Sequence, residues 1–198
     1  MNKHEMDKWI KHCDTFFKQN DCLVLHPIVE MPLHIDVLVY PPTEELPFWK
    51  LVTMGASDYR MPVDKAPLGD RNEYVLFVDP REDLKNRVQC QRYAAYLWEI
   101  ALYPVQTKTY ITYGHSMEWR TEPGEKFVGA FLEFPQMIRD TGVVRCRLGL
   151  MKTLILLQAY LLTREETDRL LKEGPEAFSQ YLYPDGEKAV RCLNCIVD

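Results

Sequence analysis

The sequence predicts a single α+β domain over residues 1–198, in which helices flank a mixed and mostly antiparallel β-sheet. Three observations favour this fold class. A chain of 198 residues that is 46% hydrophobic can bury one substantial core. Its apolar residues follow helical spacing in some segments and strand alternation in others. The elements come in the order helix, strands, helix, strands and two helices, which differs from the regular alternation of a doubly wound sheet.

The first two predicted elements are a helix and a strand. Apolar residues recur at three- and four-residue spacing between Met6 and Phe17, so we expect an amphipathic helix that ends near Asn20. Residues 34–40 alternate strictly between two faces, which predicts a half-buried strand that the following pair of prolines ends. The face expected to be buried consists of Ile35, Val37 and Val39.

Two more strands and a long helix follow. Residues 49–55 and 73–80 are rich in β-branched and aromatic side chains and are bounded by glycine or proline, which is typical of strands. The residues 56–72 between them carry many turn-forming side chains and predict a long loop, a kind of segment that often has a function. Glycine and proline are absent from residues 81–102, which predicts a second helix that ends before Pro104.

Strand patterns return in the second half of the chain. We expect strands at residues 108–114 and 126–135, where β-branched and aromatic residues dominate. Residues 153–162 are almost continuously apolar. Such a run predicts a strand at the centre of the sheet, covered on both faces.

The last two predicted elements are helices with clear boundaries. Thr163 and Glu166 have the spacing of a capping box, in which each side chain binds the other's backbone N–H group. The helix that they open is expected to end at Gly174. Pro175 then predicts the start of a short final helix, because proline is well tolerated at the first helical position.

The net charge limits the classes of partner. At a formal charge of -5, the chain lacks the basic surface that binds phosphate backbones, so we expect no nucleic-acid partner. A negative surface instead favours association with a basic protein. The charged N-terminal segment has no apolar signal-peptide core, and no apolar run is long enough to cross a membrane. We therefore predict a cytoplasmic protein whose six cysteines remain thiols.

The segment MGASDY, at residues 54–59, raises the possibility of a catalytic turn. A nucleophile elbow requires a second glycine where Tyr59 stands, and a phosphate-binding loop requires a lysine that does not follow in register. The segment is better interpreted as a structural turn. Gly55 permits the change of direction, and the side chains of Ser57 and Asp58 are expected to bind backbone donors of the loop.

Two groups of residues contain potential metal ligands, and neither has the full pattern of a metal site. His34 and Asp36 share one face of a predicted strand and, with His115, could form a facial metal triad. Any two polar residues two positions apart in a strand share a face, so a solvent-facing side or a satisfied polar cluster is the favoured interpretation. Cys192 and Cys195 form a C-x-x-C pattern without the second pair of ligands that structural zinc requires. We therefore expect neither a metal nor a cofactor.

Other ionisable residues give less specific patterns. No spacing pairs the carboxylates of Glu73, Glu99 and Glu118 for acid–base catalysis, so no catalytic residue is predicted. A local basic cluster is typical of a solvated face or of a contact with an anion or partner. It consists of Arg139, Arg145, Arg147 and Lys152.

Several segments resemble the suppressor of fused family. The elements that carry the resemblance are the H-I-D-V strand at residues 34–37, the Y-P-P-T-E-E turn at 40–45 and the T-x-G-x-S-D turn at 53–58. The resemblance is looser over residues 120–152. Further matching positions are Glu73, Gly114, His115, Trp119, residues 161–166 and residues 174–182.

The resemblance implies a fold and a function. The fold is the α/β sandwich of that family, and the function is non-enzymatic protein binding, in which an extended peptide is gripped by strand addition. Small bacterial members resemble immunity proteins that neutralise a polymorphic toxin of the nuclease or deaminase class. A regulatory adaptor that sequesters another protein is an alternative, and a metal-dependent hydrolase using the histidines above is a second. The implied partner-binding residues are Thr53, Gly55, Ser57, Asp58 and Tyr59.

Overall fold

Among the residues that the structure describes, eight strands form a mixed sheet at the centre of the fold. The computed structural model describes residues 1–63, 68–183 and 193–195. The strands are β1 (Leu23–Leu25), β2 (Asp36–Tyr40), β3 (Trp49–Met54), β4 (Asn72–Val78), β5 (Ser116–Glu118), β6 (Gly129–Glu133), β7 (Arg145–Arg147) and β8 (Thr153–Leu162). The α-helices of the described residues are α1 (Lys3–Phe17), α2 (Arg87–Thr107), α3 (Arg164–Glu173) and α4 (Pro175–Leu182).

The strands lie in the order β1-β2-β3-β4-β8-β6-β5, and β7 also pairs with β8. Neighbouring strands are antiparallel except for β4 and β8, which are parallel. A parallel pair requires a crossover, and here the crossover contains α2 and three of the short strands. The predicted fold class is confirmed, as is the central position of β8.

Helices cover both faces of this sheet. One face packs against α2 through a core that includes Ile35, Val37 and Leu51. The opposite face packs against α1 through a second core that includes Trp9 and Leu38. A third, smaller core lies under α3 and α4. The three layers follow from the apolar character of both faces of the central strands.

The expectation of a half-buried β2 is wrong. All five residues of the strand are buried, including Leu38 and Tyr40 on the face expected to meet solvent. The reason is α1, whose Phe17 packs edge-on against Tyr40 with ring centroids 5.1 Å apart. The Tyr40 hydroxyl donates a hydrogen bond of 2.9 Å to Asp14, so its polar end is satisfied beneath the helix.

Two predicted boundaries also differ. Helix α2 runs through Pro104 to Thr107, because a proline in the last turn removes one hydrogen bond and leaves the preceding turns intact. Residues 108–114 contain no strand, and β5 begins at Ser116 instead. Strands β1 and β7 were not predicted, since three residues are too few to show an alternation.

The predicted helix boundaries near the C-terminus are confirmed. The Thr163 hydroxyl accepts from the backbone of Glu166, and the Glu166 carboxylate accepts from the backbone of Thr163. Gly174 ends α3 with a positive φ of 85°, and Pro175 begins α4. Within the parts of the chain that the structure describes, no helix has both the length and the apolar character needed to span a bilayer.

Candidate functional site

Most of the residues singled out from the sequence meet at one end of the sheet. Strand β2 begins at Asp36, which pairs with Met54 at the end of β3. Strand β4 runs antiparallel to β3 and begins at the same end with Asn72 and Glu73. The turn after β3, residues 55–59, therefore lies beside the start of β2 and the start of β4. We call it the Gly55 turn.

The carboxylate of Glu73 holds the Gly55 turn in place by accepting hydrogen bonds from its backbone. Its Oε1 accepts hydrogen bonds of 3.0 Å from the backbone N–H groups of both Gly55 and Ser57, and its Oε2 accepts one of 3.3 Å from Ala56. The Thr53 hydroxyl donates a further bond of 2.6 Å to Oε2. These donors compensate a carboxylate that is completely buried.

The occupied amide groups decide what the turn can do chemically. A phosphate-binding loop or an oxyanion hole works through backbone N–H groups that point at the ligand. In the Gly55 turn three successive N–H groups already bind Glu73. Burial raises the pKa of Glu73, and the hydrogen-bond donors of Thr53 and the turn oppose that effect. The turn is a structural element built around this residue.

The backbone conformation at position 55 requires a glycine. Its φ is +123°, a value that side-chain-bearing residues rarely adopt. A Cβ atom at this position would lie 2.4 Å from the backbone oxygen of His34, two residues before the neighbouring strand β2. The expectation that Gly55 permits the change of direction is confirmed. The expectation that the side chains of Ser57 and Asp58 bind the backbone donors is wrong, because Glu73 accepts those bonds.

The five predicted partner-binding residues differ in accessibility. Thr53 and Ser57 are completely buried, and Gly55 is buried as well. Asp58 is exposed and Tyr59 is partly exposed. The first three residues can shape a partner surface only by holding the turn. Asp58 and Tyr59 are the members whose side chains a partner could touch.

The charge of Asp58 is already compensated within the chain. One of its carboxylate oxygens accepts a hydrogen bond of 2.6 Å from Lys152, and the other pairs with the amino group of Met1. Lys152 also pairs with Glu5 of α1 at 3.1 Å. The ionic contacts therefore join α1, the Gly55 turn and the start of β8.

The predicted basic cluster is divided by these contacts. Lys152 belongs to the ionic group around Asp58, whereas Arg145 and Arg147 project from β7 into an open cleft that Leu150 also lines. Arg147 donates hydrogen bonds to the backbone of residues 149 and 150. Arg139 is exposed in the loop before β7.

Three potential metal ligands do meet in the structure, but His26 takes the place of the predicted His115. His34 and Asp36 do meet, with 3.1 Å between His34 Nε2 and Asp36 Oδ1. His115 lies at the opposite edge of the sheet, where its backbone oxygen accepts from Leu132 of β6. His26 takes the third position, with its Nδ1 2.8 Å from the same Asp36 oxygen. No sequence pattern pointed to His26, because it follows β1, a strand that was not predicted.

The remaining candidates are dispersed. Glu99 is exposed on α2, and Glu118 pairs with Arg164 at 2.5 Å. Cys192 lies outside the described residues, and the sulfur of Cys195 accepts a hydrogen bond of 3.6 Å from Arg81.

Comparison with known proteins gives one family and several similar folds. Residues 32–194 match the family described as Suppressor of fused protein (SUFU). No curated protein sequence matches the chain. The fold is similar to that in the crystal structure of the Sufu-Fu complex, with a TM-score of 0.66 and 14% identity over 97% of this chain and 89% of that one.

Two further solved structures have the same fold. Drosophila Suppressor of Fused superposes with a TM-score of 0.69 and 15% identity, covering 97% of this chain and 50% of that one. A SUFU homologue from Neisseria gonorrhoeae superposes with a TM-score of 0.66 and 14% identity, covering 96% of this chain and 93% of that one. The chain thus spans about half of the Drosophila protein and nearly all of the bacterial homologue.

Proposed function

The chain belongs to the suppressor of fused family, and from that premise we propose that it is a non-enzymatic protein-binding domain that acts by stoichiometric binding. The observation that carries the proposal is the family match over residues 32–194. A relative of the same fold has been solved as the Sufu-Fu complex, which supports a protein as the ligand. The saturation of the Gly55 turn by Glu73 is consistent with this proposal, since the turn offers no row of free amide donors.

The partner we propose is a basic toxin domain of the nuclease or deaminase class, so that the protein acts as a cytoplasmic immunity protein. Its net charge of -5 supports this choice. Opposite charges accelerate the encounter of two proteins and disfavour partners of like charge. An immunity protein benefits from both effects, because it must reach its toxin before the toxin reaches a substrate.

The proposed interface includes the exposed side of the Gly55 turn. Because Lys152 and the amino group of Met1 already compensate Asp58, the attraction is assigned to the surface as a whole more than to this one carboxylate. A lysine at position 58 would place two like charges side by side with Lys152, so a change in binding would combine local repulsion with the loss of a partner contact. Asp58→Asn and Tyr59→Ala are therefore the substitutions that probe the interface without reversing a charge.

Co-expression with the candidate toxin tests the proposal. Cells express the toxic C-terminal domain encoded immediately upstream, with or without this protein, and the two chains are then co-purified. We expect rescue of growth and a one-to-one complex. A toxin domain from an unrelated pair serves as the control and should remain toxic. Persistent toxicity without a complex would contradict the immunity role.

A regulatory adaptor is the alternative, and the Sufu-Fu complex is the observation that favours it. An adaptor would sequester a cellular protein that has no connection with a toxin. Gene neighbourhood separates the two roles, since a toxin gene beside this one is expected only for an immunity protein. The metal-dependent hydrolase hypothesis loses its predicted triad, because His115 lies at the far edge of the sheet from His34.

A further inference from the structure

Two imidazoles converge on one carboxylate oxygen where the chain passes from β1 to β2. His26 Nδ1 lies 2.8 Å from Asp36 Oδ1, and His34 Nε2 lies 3.1 Å from the same atom. The two rings stack with centroids 6.4 Å apart. All three potential ligand atoms lie within 4.8 Å of one another. We propose that His26, His34 and Asp36 form a binding site for a divalent transition-metal ion, with Zn²⁺ as the best fit.

The spacing of the three atoms suits tetrahedral coordination. Nitrogen and oxygen ligands bind Zn²⁺ at about 2.0–2.2 Å, which places neighbouring ligand atoms about 3.4 Å apart. The distances of His34 Nε2 and His26 Nδ1 from Asp36 Oδ1 are 3.1 Å and 2.8 Å, which are about 0.3 Å and about 0.6 Å shorter than that separation. A metal ion would take the place of the N–H protons that now point at the carboxylate. Each neutral imidazole would then carry its single proton on the ring nitrogen that faces away from the ion.

The set of ligands selects the class of metal. Two imidazoles and one carboxylate favour zinc and its neighbours, whereas calcium and magnesium prefer an all-oxygen environment. Three protein ligands leave the fourth position of a tetrahedral ion open to water or to another ligand. The site has no thiol among its three members, so its spectroscopic properties differ from those of a metal bound by cysteine.

One ligand is fixed and two can adjust. Asp36 is 4% exposed and its backbone pairs with Met54 in the sheet. The preceding residue, Ile35, is held by a hydrogen bond of 2.9 Å from Trp98 Nε1 to its backbone oxygen. The side chains of His26 and His34 are 69% and 73% exposed, so their rings can rotate toward an ion that arrives from solvent. The anchored carboxylate provides the preorganisation that a metal site requires.

The metal would also act on the loop between its ligands. Residues 27–33 connect His26 to His34, and the exposed side chains of this loop include Ile28 and Val29, at 74% and 69%. Because the residues at both ends of the loop would bind the same ion, the ion would hold the loop in one conformation. This consequence follows from the position of the ligands and does not depend on the proposed partner.

Titration of the purified chain with zinc tests the site. The protein is stripped with EDTA, transferred to chelator-free buffer under reducing conditions and titrated with ZnCl₂ by calorimetry. We expect one ion per chain. His26→Ala and His34→Ala should each weaken binding at least tenfold, since even the loss of an outer partner of a ligand costs about 10–100-fold. The matched control is His115→Ala, which removes a histidine from the other edge of the sheet and should bind as the native chain does.

Cobalt substitution separates this site from the cysteines. With Co²⁺ the native chain should show the visible absorption of a tetrahedral ion without the thiolate-to-metal band near the ultraviolet. In His26→Ala the visible absorption and the calorimetric binding signal should both disappear. Because His26 is mostly exposed, this variant is expected to fold even if changes at the buried Asp36 are not tolerated. Absence of binding by the native chain, binding that His26→Ala leaves unchanged, or a thiolate band would each overturn the proposal.

Discussion

Glu73 shows how one buried side chain determines the character of a turn. In the sequence this glutamate is one of the positions that match the family pattern, and the nearby glycine and serine only raise the possibility of a catalytic turn. In the fold its carboxylate receives three backbone N–H groups and the Thr53 hydroxyl. The contact joins residues about twenty positions apart. Sequence spacing could identify the turn and the glutamate separately, but it could not show that they meet.

Substitution of Gly55 is expected to destabilise the fold. Gly55→Val should destabilise the protein by about 3 kcal/mol or more, because it combines a positive φ with a steric overlap against His34. Gly114→Val is the matched control. Gly114 also has a positive φ but has open space around the position of a Cβ, so its substitution should cost only about 1 kcal/mol. Urea denaturation of both variants checks this, and equal losses of stability would contradict it.

Lys50 supplies a pH-dependent prediction. Its side chain is completely buried, where it donates a hydrogen bond of 2.6 Å to the backbone oxygen of Pro41. Burial lowers the pKa of Lys50 to about 8. The unfolded chain keeps an ordinary lysine pKa of about 10.4. Between these values the unfolded state binds more protons than the folded state, so the contribution of Lys50 to the free energy of unfolding increases with pH.

The measurement for Lys50 is a comparison of denaturation curves at pH 7.5 and 9.5. Relative to Lys50→Met, the native chain should gain about 2 kcal/mol of stability over this interval. The variant is the necessary reference, because burial also raises the pKa of the Cys13, Cys90 and Cys146 thiols and these groups act in the opposite direction. A constant difference between the two proteins would exclude a depressed lysine pKa.

At the scale of elements, the two helices that cover the sheet use tryptophan in the same way. Trp9 of α1 donates a hydrogen bond of 2.9 Å to the backbone oxygen of Thr53. Trp98 of α2 donates one of the same length to Ile35, on the other face. Each indole fixes a helix to a strand end that borders the Gly55 turn. The site is therefore held from above and below by elements that are distant in sequence.

Replacing the two tryptophans by phenylalanine should lower the free energy of unfolding by different amounts. Trp9 is completely buried, so Trp9→Phe leaves the Thr53 oxygen without its partner in an apolar core and should cost about 2–3 kcal/mol. Trp98 is partly exposed, and water can replace part of its hydrogen bond in Trp98→Phe, for which we expect about 1 kcal/mol. Thermal and chemical unfolding of the two variants gives the comparison. A larger loss for Trp98→Phe would be inconsistent with the role assigned to α1.

For the molecule as a whole, local patterns predicted the fold class and most elements. Periodicity and capping residues were sufficient for α1, the long strands and the last two helices, because these signals lie within one element. The short strands β1 and β7 form only by pairing with β2 and β8, so no local sequence pattern predicts them. The burial of β2 on both faces depends in the same way on the docking of α1. His26 joined the metal-site candidates only when the position of β1 was known.

Ion pairs within the chain limit how much any single carboxylate contributes to the attraction of a basic partner. The net charge is -5, yet Asp58 is compensated by Lys152 and the Met1 amino group. Association with a basic partner should therefore depend on salt through many charges, while Asp58→Asn should reduce affinity only modestly. Binding kinetics at low and at physiological ionic strength check this expectation. A loss of all binding in Asp58→Asn would instead place this carboxylate at the centre of the interface.

Stoichiometric inhibition tests directly whether this protein neutralises a toxin by binding it. The purified toxin domain is assayed while increasing amounts of this protein are added, and the residual activity is measured at once and again after prolonged incubation. We expect a linear decrease to a sharp end point at one equivalent, which does not change with time because binding consumes one molecule per target. Complete inactivation by a small fraction of an equivalent, growing with time, would reveal catalytic turnover. Undiminished toxin activity at excess inhibitor would contradict binding to this partner.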